Sequence, residues 1–445
     1  MELTGKKVLI VGLAKSGLAA IKVLYKCGVK DITLCERKPA DQLEDLSEYG
    51  VKVVAQDDEL FEQDFDLVIK NPGVPYVSKQ IARLKERGIE VITEIELAYR
   101  LAKPQHYIAI TGTNGKTTCT TLMYELLKKA YGDKALTGGN IGTPLCDLLL
   151  DYDLFNNEGY YIALEISNAQ LVDIDQFRPE YSVIMNLTPD HIETMGSLDV
   201  YYWSKTLVYK NQKDNDVFMF NDDDQLVHEY TQKYPIGCQI NTFSLEKQTT
   251  DAYLKDGYIC YKGEKLLPLD CIKIVGMHNV QNIMVASTIA YKLGISPADI
   301  EDVISNFNGV EHRIEFVREI NGVKYYNDSK GTNTDATITA LKAFDRNVVL
   351  LVGGYEKGLD MEVMKPYLTP VKKVIGYGYC GPRLVHDLVG NDGIVVEDLP
   401  QAITEANKIA VSGDVVLLSP TTSSFDQYSC YEERGEHFKQ IVNNL

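Results

Sequence analysis

The stretch Ile108-Ala-Ile-Thr-Gly-Thr-Asn-Gly-Lys-Thr-Thr118 decides how this chain is read. Residues 107–110 are an apolar run that predicts a buried strand, the glycines at 112 and 115 predict a tight turn, and 119–129 predicts a helix. Such a turn aims backbone N–H groups inward, and the start of the following helix adds the positive end of its dipole. Together they make a cradle for polyphosphate, with Lys116 reaching the outer phosphates and the Thr117 hydroxyl offering a place for Mg²⁺. The spacing is shorter than the general phosphate-loop pattern, which would need Gly at position 110, where this chain has Ile. A glycine turn with a surface lysine is the bland alternative. The order strand, turn, helix favours a site for ATP or GTP.

Upstream of this turn, a strand at 7–11 runs into Gly12-Leu-Ala-Lys-Ser-Gly17, a helix at 18–27 and a second strand from 31 that ends at Glu36. That is a βαβ opening of nucleotide-binding type. It reads Gly-x-Ala-x-x-Gly, and Ala14 blocks the closest approach of backbone to a pyrophosphate, which argues against a dinucleotide oxidoreductase. Glu36 stands where an acid would meet a ribose hydroxyl, although packing alone explains glycines in many βα turns. A strand at 66–70 ends in Asn71-Pro-Gly-Val-Pro75, a turn at the end of a strand where open α/β sheets bind ligands.

Downstream, Gly138-Gly-Asn-Ile-Gly142 is a second glycine-rich turn. A strand at 160–166 carries Glu165 near its end, where a Mg²⁺ ligand is expected beside a phosphate turn; a solvated strand-end acid is the plain alternative. A strand at 181–186 leads to Thr188-Pro-Asp-His191, and a helix at 200–213 carries Lys205 and Lys210. Gly276-Met-His-Asn-Val-Gln-Asn282 opens a helix whose asparagines serve either an adenine edge or a cap. From about 310, a hairpin closed at Asn321-Gly322 precedes Asp328-Ser-Lys330. Strands at 347–352, 371–377 and 414–418 then end in small polar loops, the pattern of a doubly wound sheet.

The bulk properties fit this layout. With 445 residues the chain is too long for one core, and about three domains are expected. A net charge of −18 argues against nucleic acid or an anionic membrane as partner. Nine scattered cysteines, with no Cys-x-x-Cys pair, argue against a disulfide framework or a structural zinc site. The apolar run 8–13 is too short for a membrane span and lacks the order of a signal peptide, so the expected address is the cytoplasm and the default state a monomer.

The joint occurrence of Thr111-Gly-Thr-Asn-Gly-Lys-Thr117, Gly138-Gly-Asn-Ile-Gly142, Glu165, His191, Gly276-x-His-Asn279, Glu311-His-Arg313 and Asp328-Ser-Lys330 resembles the Mur ligases, in order and along the whole chain. Asp328-Ser-Lys-x-Thr-Asn333 and Leu418-Ser-Pro420 resemble the D-glutamate-adding branch in particular. The resemblance implies three α/β domains: a Rossmann-like UDP-sugar domain at 1–100, a central phosphate-loop ATPase-like domain at 101–309, and a Rossmann-like amino-acid domain at 310–445. It implies an ATP-dependent amide ligase of peptidoglycan precursor synthesis that works through an acyl phosphate. A ligase of the same family adding L-alanine, or a nucleotide-binding relative without catalysis, are the alternatives.

By the same resemblance, ATP would meet Gly112, Thr113, Asn114, Gly115, Lys116, Thr117 and Thr118, with Asn279, Asn282, Arg313, Asp328 and Lys330. Two Mg²⁺ ions would be held by Thr117, Glu165, His191 and Lys205, the last as a carbamate. Lys116, Asn140, His191 and Lys205 would surround the reacting groups. Ala14, Lys15, Ser16, Glu36, Lys38, Asn71, Gly73 and Ser167 would hold the UDP-sugar, and Thr332, Lys357, Ser424 and Tyr431 the D-glutamate. The chain departs from the family pattern at Ser167-Asn-Ala-Gln-Leu171, which lacks the usual aromatic at 169. It departs again at Ile192-Glu-Thr-Met195, and at Tyr431, where many relatives have Phe.

Overall fold

The computed structural model describes residues 1–37, 45–190 and 192–445. The chain forms two compact units, one of residues 1–269 with 281–304 and one of residues 270–280 with 305–445.

The first unit holds two sheets. The N-terminal sheet contains β1 (Lys7–Val11), β2 (Asp31–Glu36), β3 (Lys52–Ala55), β4 (Leu67–Lys70) and β5 (Val91–Ile92), in the order β3-β2-β1-β4-β5. All its pairings are parallel. Short runs such as Val8 to Val11 and Leu67 to Ile69 are apolar at every position because helices cover both faces of a parallel sheet. The strand order reverses at β1, so the loops after β1 and β4 open a crevice there. Gly17 is required by packing: a Cβ on it would collide with the Gly12 carbonyl oxygen.

The central sheet contains β6 (His106–Thr111), β7 (Ala135–Gly139), β8 (Tyr161–Glu165), β9 (Tyr181–Ile184), β10 (Val217–Asn221), β11 (Gln239–Phe243), β12 (Ala252–Lys255), β13 (Tyr258–Tyr261) and β14 (Glu264–Pro268). Its order is β14-β13-β12-β11-β10-β9-β6-β8-β7. The strand before the glycine turn at 112–115, β6, thus lies between β8 and β9, with Ile110 beside Glu165 in register. One sequence expectation needs correction here. The helix expected at 200–213 is Leu198–Thr206 followed by a 3₁₀ turn Leu207–Tyr209, because the Thr206 hydroxyl bonds back to the Trp203 carbonyl and the last turn tightens. Strands β10 to β14 were not expected at all.

The second unit holds β15 (Glu315–Ile320), β16 (Val323–Asn327), β17 (Val348–Gly353), β18 (Val371–Tyr377), β19 (Ile394–Val395) and β20 (Val415–Thr421), in the order β15-β16-β20-β17-β18-β19. β15 and β16 form the expected antiparallel hairpin, and both Asn321 and Gly322 carry positive φ, as its two-residue turn demands. The remaining pairings are parallel. β20 lies between β16 and β17, which gathers the ends of all three strands. All nine cysteines are free. No helix of the described residues is long and apolar enough to cross a membrane.

Candidate active site

In the first unit the site is built around the turn after β6. Thr113 N–H donates to the Asn186 carbonyl at 3.0 Å and Asn114 N–H to Asn186 Oδ1 at 2.8 Å, so the end of β9 fixes the turn. The helix Lys116–Tyr131 starts directly from it, with Gly115 in the left-handed region at φ 83°. A Cβ on Gly115 would lie 2.5 Å from Asn282 Oδ1, which shows how closely that asparagine is packed against the turn. The Lys116 ammonium folds back to donate to the carbonyls of Gly112 at 2.9 Å and Thr113 at 2.7 Å.

Glu165 ends β8 at 2% exposure. Its Oε2 accepts the Thr117 hydroxyl at 2.8 Å, and its Oε1 accepts Asn140 Nδ2 at 2.8 Å. Asn140 arrives from the second glycine turn, where a Cβ on Gly139 would strike the Glu165 carbonyl oxygen. The two glycine-rich turns and the strand-end acid therefore converge at one carboxylate.

Lys205 is buried at 1% exposure, and its Nζ sits 5.1 Å from the centre of the Tyr201 ring. Burial drives its ammonium well below the usual lysine range, and the charge on Lys116 pushes the same way against the opposing pull of Asp190 and Glu165. Tyr201, which the sequence does not single out, donates its hydroxyl to Thr113 Oγ1 at 3.1 Å. Its only sequence signal is the spacing of four to Lys205 on one helix. Lys116, Asn140, Ser167, Tyr201 and Lys205 line one pocket of about 410 Å³ together with Gly73 from the N-terminal sheet.

The N-terminal crevice, about 370 Å³, is lined by Ala14, Glu36, Asn71 and Gly73 among others. Both Glu36 oxygens already accept backbone N–H groups, Oε2 from Leu13 and Oε1 from Arg37, each at 2.7 Å. The carboxylate thus fastens the glycine turn to the end of β2. Lys15 is exposed and Ser16 half-buried at the start of the helix Ala14–Lys26. Lys38 and His191 lie outside the described residues.

In the second unit, Asp328 follows β16 at 5% exposure. It accepts the Ser419 hydroxyl at 2.7 Å, and burial pushes its carboxyl up to about 7 although Ser419 and Arg313 pull it down. Lys330 Nζ lies 5.5 Å from the Tyr431 ring centre. Lys357 Nζ donates to the Thr332 carbonyl at 3.0 Å, and burial followed by the charge of Arg434 lowers its pKa. Ser424 is buried beyond the end of β20. Asn279 Nδ2 donates to the Val275 carbonyl at 2.7 Å, a local bond at its helix start. Arg434 is a further residue the sequence did not single out. It is fully buried and donates to Ser329 Oγ at 3.0 Å and to the Ser329 carbonyl at 2.8 Å. Its guanidinium fixes the Asp328-Ser-Lys330 loop from below.

Three family models match successive stretches of the chain. They are the Mur ligase MurD-like N-terminal domain at residues 6–93, the Mur ligase middle domain at 110–290 and the Mur ligase glutamate ligase domain at 312–422. The chain is 40% identical over 449 residues to the UDP-N-acetylmuramoylalanine–D-glutamate ligase of Bacillus subtilis, covering 98% of this chain and 97% of that protein. It is 39% identical over 466 residues to the protein of the same name from Caldicellulosiruptor saccharolyticus, covering 100% of both. A solved UDP-N-acetylmuramate–alanine ligase from Thermotoga maritima aligns with a TM-score of 0.58 at 20% identity over 99% of both chains. A Thermotoga maritima MurF ligase in complex with ADP aligns with a TM-score of 0.57 at 16% identity, over 100% of this chain and 99% of that one. At those identities the two structures speak for the fold alone.

Proposed function

This chain belongs to the Mur ligase family, and from that premise we infer that it is an ATP-dependent ligase joining D-glutamate to UDP-N-acetylmuramoyl-L-alanine in peptidoglycan precursor synthesis. The observation that carries the reading is the convergence of Lys116, Asn140, Ser167 and Lys205 with Gly73 in one pocket beside the Thr117–Glu165 pair.

The reaction we propose joins two substrates through a third. The alanine carboxylate of the UDP-sugar attacks the γ-phosphorus of ATP, the bond to the β-phosphate oxygen breaks, and ADP leaves. The amine of D-glutamate then attacks the acyl phosphate, loses a proton, and inorganic phosphate departs. An anion attacking a polyanion needs charge neutralised and reactants aligned, which is the task of the lysines and the turn.

A buried carboxylate with a hydroxyl 2.8 Å from it supplies oxygen donors that suit a hard cation. Thr117 and Glu165 would hold one Mg²⁺, and His191 with a carbamate of Lys205 the second. Bound there, the ions would neutralise the phosphate charge. Burial disfavours the ammonium of Lys205, and the neutral amine is the nucleophile for CO₂: its nitrogen bonds the carbon, a proton leaves, and an oxygen anion stands where a neutral nitrogen was.

The turn from Gly112 to Thr118 with Asn279, Asn282, Arg313, Asp328 and Lys330 would hold ATP. The crevice residues Ala14, Lys15, Ser16, Glu36, Lys38, Asn71 and Gly73, with Ser167, would hold the UDP-sugar. Thr332, Lys357, Ser424 and Tyr431 would hold D-glutamate. The division of labour follows 1–100, 101–309 and 310–445, in a cytoplasmic monomer.

Phosphate release tests the reading. With ATP, Mg²⁺ and UDP-N-acetylmuramoyl-L-alanine, release should require D-glutamate. Equal release with UDP-N-acetylmuramic acid and L-alanine would overturn it.

A further inference from the structure

Lys70, the last residue of β4, and Asp173 are both removed from solvent, each side chain at 1% exposure, and their charges meet at 2.9 Å. Lys85, from the helix Lys79–Glu86, reaches the other Asp173 oxygen at 2.5 Å. Removing ions from water is costly, and such a pair is weak as a device for stability alone. Its placement has a different consequence.

Lys70 is followed at once by the loop 71–76. That loop is a wall with two sides. One side, through Asn71, Gly73, Val74 and Pro75, lines the N-terminal crevice, and the other, through Gly73, Val74, Pro75 and Tyr76, lines the pocket that holds Lys116, Asn140 and Lys205. The loop is ordered internally by Asn71, whose Oδ1 accepts Gly73 N–H at 2.9 Å and whose carbonyl accepts Val74 N–H at 2.9 Å. Its far end is tied by Tyr76 N–H to the Thr194 carbonyl at 2.9 Å. Its near end is tied by the Lys70–Asp173 ion pair to the segment after β8. Asp173 lies two residues past the helix Asn168–Leu171, whose N-cap Ser167 lines the same pocket.

We propose that Lys70 and Asp173 are positioning residues for the ligase reaction: their buried pair sets the loop 71–76 against the Glu165–Ser167 strand end, so that a UDP-sugar held in the crevice presents its carboxylate in the pocket. The proposal rests on the reaction inferred above. Neither residue touches substrate; both act through the loop. The ends of one substrate would occupy two cavities divided by this wall, so a loosened wall weakens that substrate and spares the others.

The test titrates UDP-N-acetylmuramoyl-L-alanine, ATP and D-glutamate in turn against the wild type, Asp173→Asn and the double variant Lys70→Met/Asp173→Leu, with thermal melting of each. The variants should raise KM for the UDP-sugar roughly tenfold and leave the other two within about twofold. The double variant, with two apolar side chains in place of the charges, should melt higher than the single variant while keeping the raised KM. It also carries the test if Asp173→Asn does not fold. An unchanged UDP-sugar KM, an equal rise for all three substrates, or recovery of KM together with melting temperature in the double variant overturns the proposal. If the wild type itself releases no phosphate with D-glutamate, the inferred reaction fails separately. Calorimetric titration of the UDP-sugar alone then decides the pair, with the same weakening expected and equal affinity in all three proteins overturning it.

Discussion

The Thr117 hydroxyl donates to Glu165 Oε2 at 2.8 Å, and the Asn140 amide donates to the other oxygen of the same carboxylate at 2.8 Å. One buried acid thus joins the first turn of the helix Lys116–Tyr131 to the second glycine-rich turn. Glu165→Ala removes the proposed Mg²⁺ ligand and leaves two donors without an acceptor. D-glutamate-dependent phosphate release should fall on the order of 100-fold or more, since charge stabilisation at the transferring phosphoryl group is lost. Steady-state kinetics at saturating Mg²⁺ checks this, and retention of more than half of wild-type turnover would remove Glu165 from the metal site.

The environment of Lys205 makes a chemical prediction. Burial and then the neighbouring Lys116 charge push its ammonium well below the usual lysine range, toward the neutral amine that takes up CO₂. Lys205→Ala should lose nearly all activity, and added acetate or formate should restore part of it by supplying the missing carboxylate. The wild type should lose activity in CO₂-depleted buffer and regain it with bicarbonate. An untreated variant with full activity refutes the carbamate.

Glu94 offers a test of stability rather than catalysis. It is buried at the base of the helix Leu145–Asp151, accepts Cys146 N–H at 3.0 Å, and burial pushes its carboxyl up to about 7 from 4.5. The folded protein therefore holds this proton more tightly than the unfolded chain. Stability from this group is full below the unfolded value and declines as pH rises through the interval to about 7. Glu94→Gln keeps the acceptor and removes the ionisation. It should melt roughly 3 °C or more above the wild type at pH 8, with the gap closing toward pH 5. Melting curves across that range check it; a gap independent of pH assigns the effect to packing.

The parts of this site that the sequence made legible are those in which chemistry and backbone lie within one short stretch. The apolar run, glycines and lysine at 107–118 specify a strand, a turn and a helix start almost independently of the rest of the chain. Glu165 and Asn140 were readable because each ends a strand or a glycine turn. Strands β11 and β14 were not legible: each is five residues long, and exposed polar positions such as Gln239 and Glu264 interrupt the alternation. Lys70, Asp173 and Arg434 escaped for a different reason. A charged side chain reads as solvated until its distant partner is known, and these find theirs 103 and 105 residues away across the fold.

Lys357 closes the set. Its ammonium donates to the Thr332 carbonyl at 3.0 Å, and the buried Arg434 guanidinium lies close enough to lower its pKa after burial has done so. Arg434 itself donates to neutral oxygens of Ser329 and Thr422. Two cations near these hydroxyl-rich strand ends favour an anionic guest, and a dicarboxylic amino acid supplies one. Lys357→Ala should raise KM for D-glutamate roughly tenfold or more while KM for the UDP-sugar stays within about twofold, because only one substrate loses its counter-charge. Lys357→Arg, which keeps the charge, should fall between the two. Substrate titrations on the three proteins measure this, and an unchanged D-glutamate KM in Lys357→Ala would move the amino-acid site elsewhere.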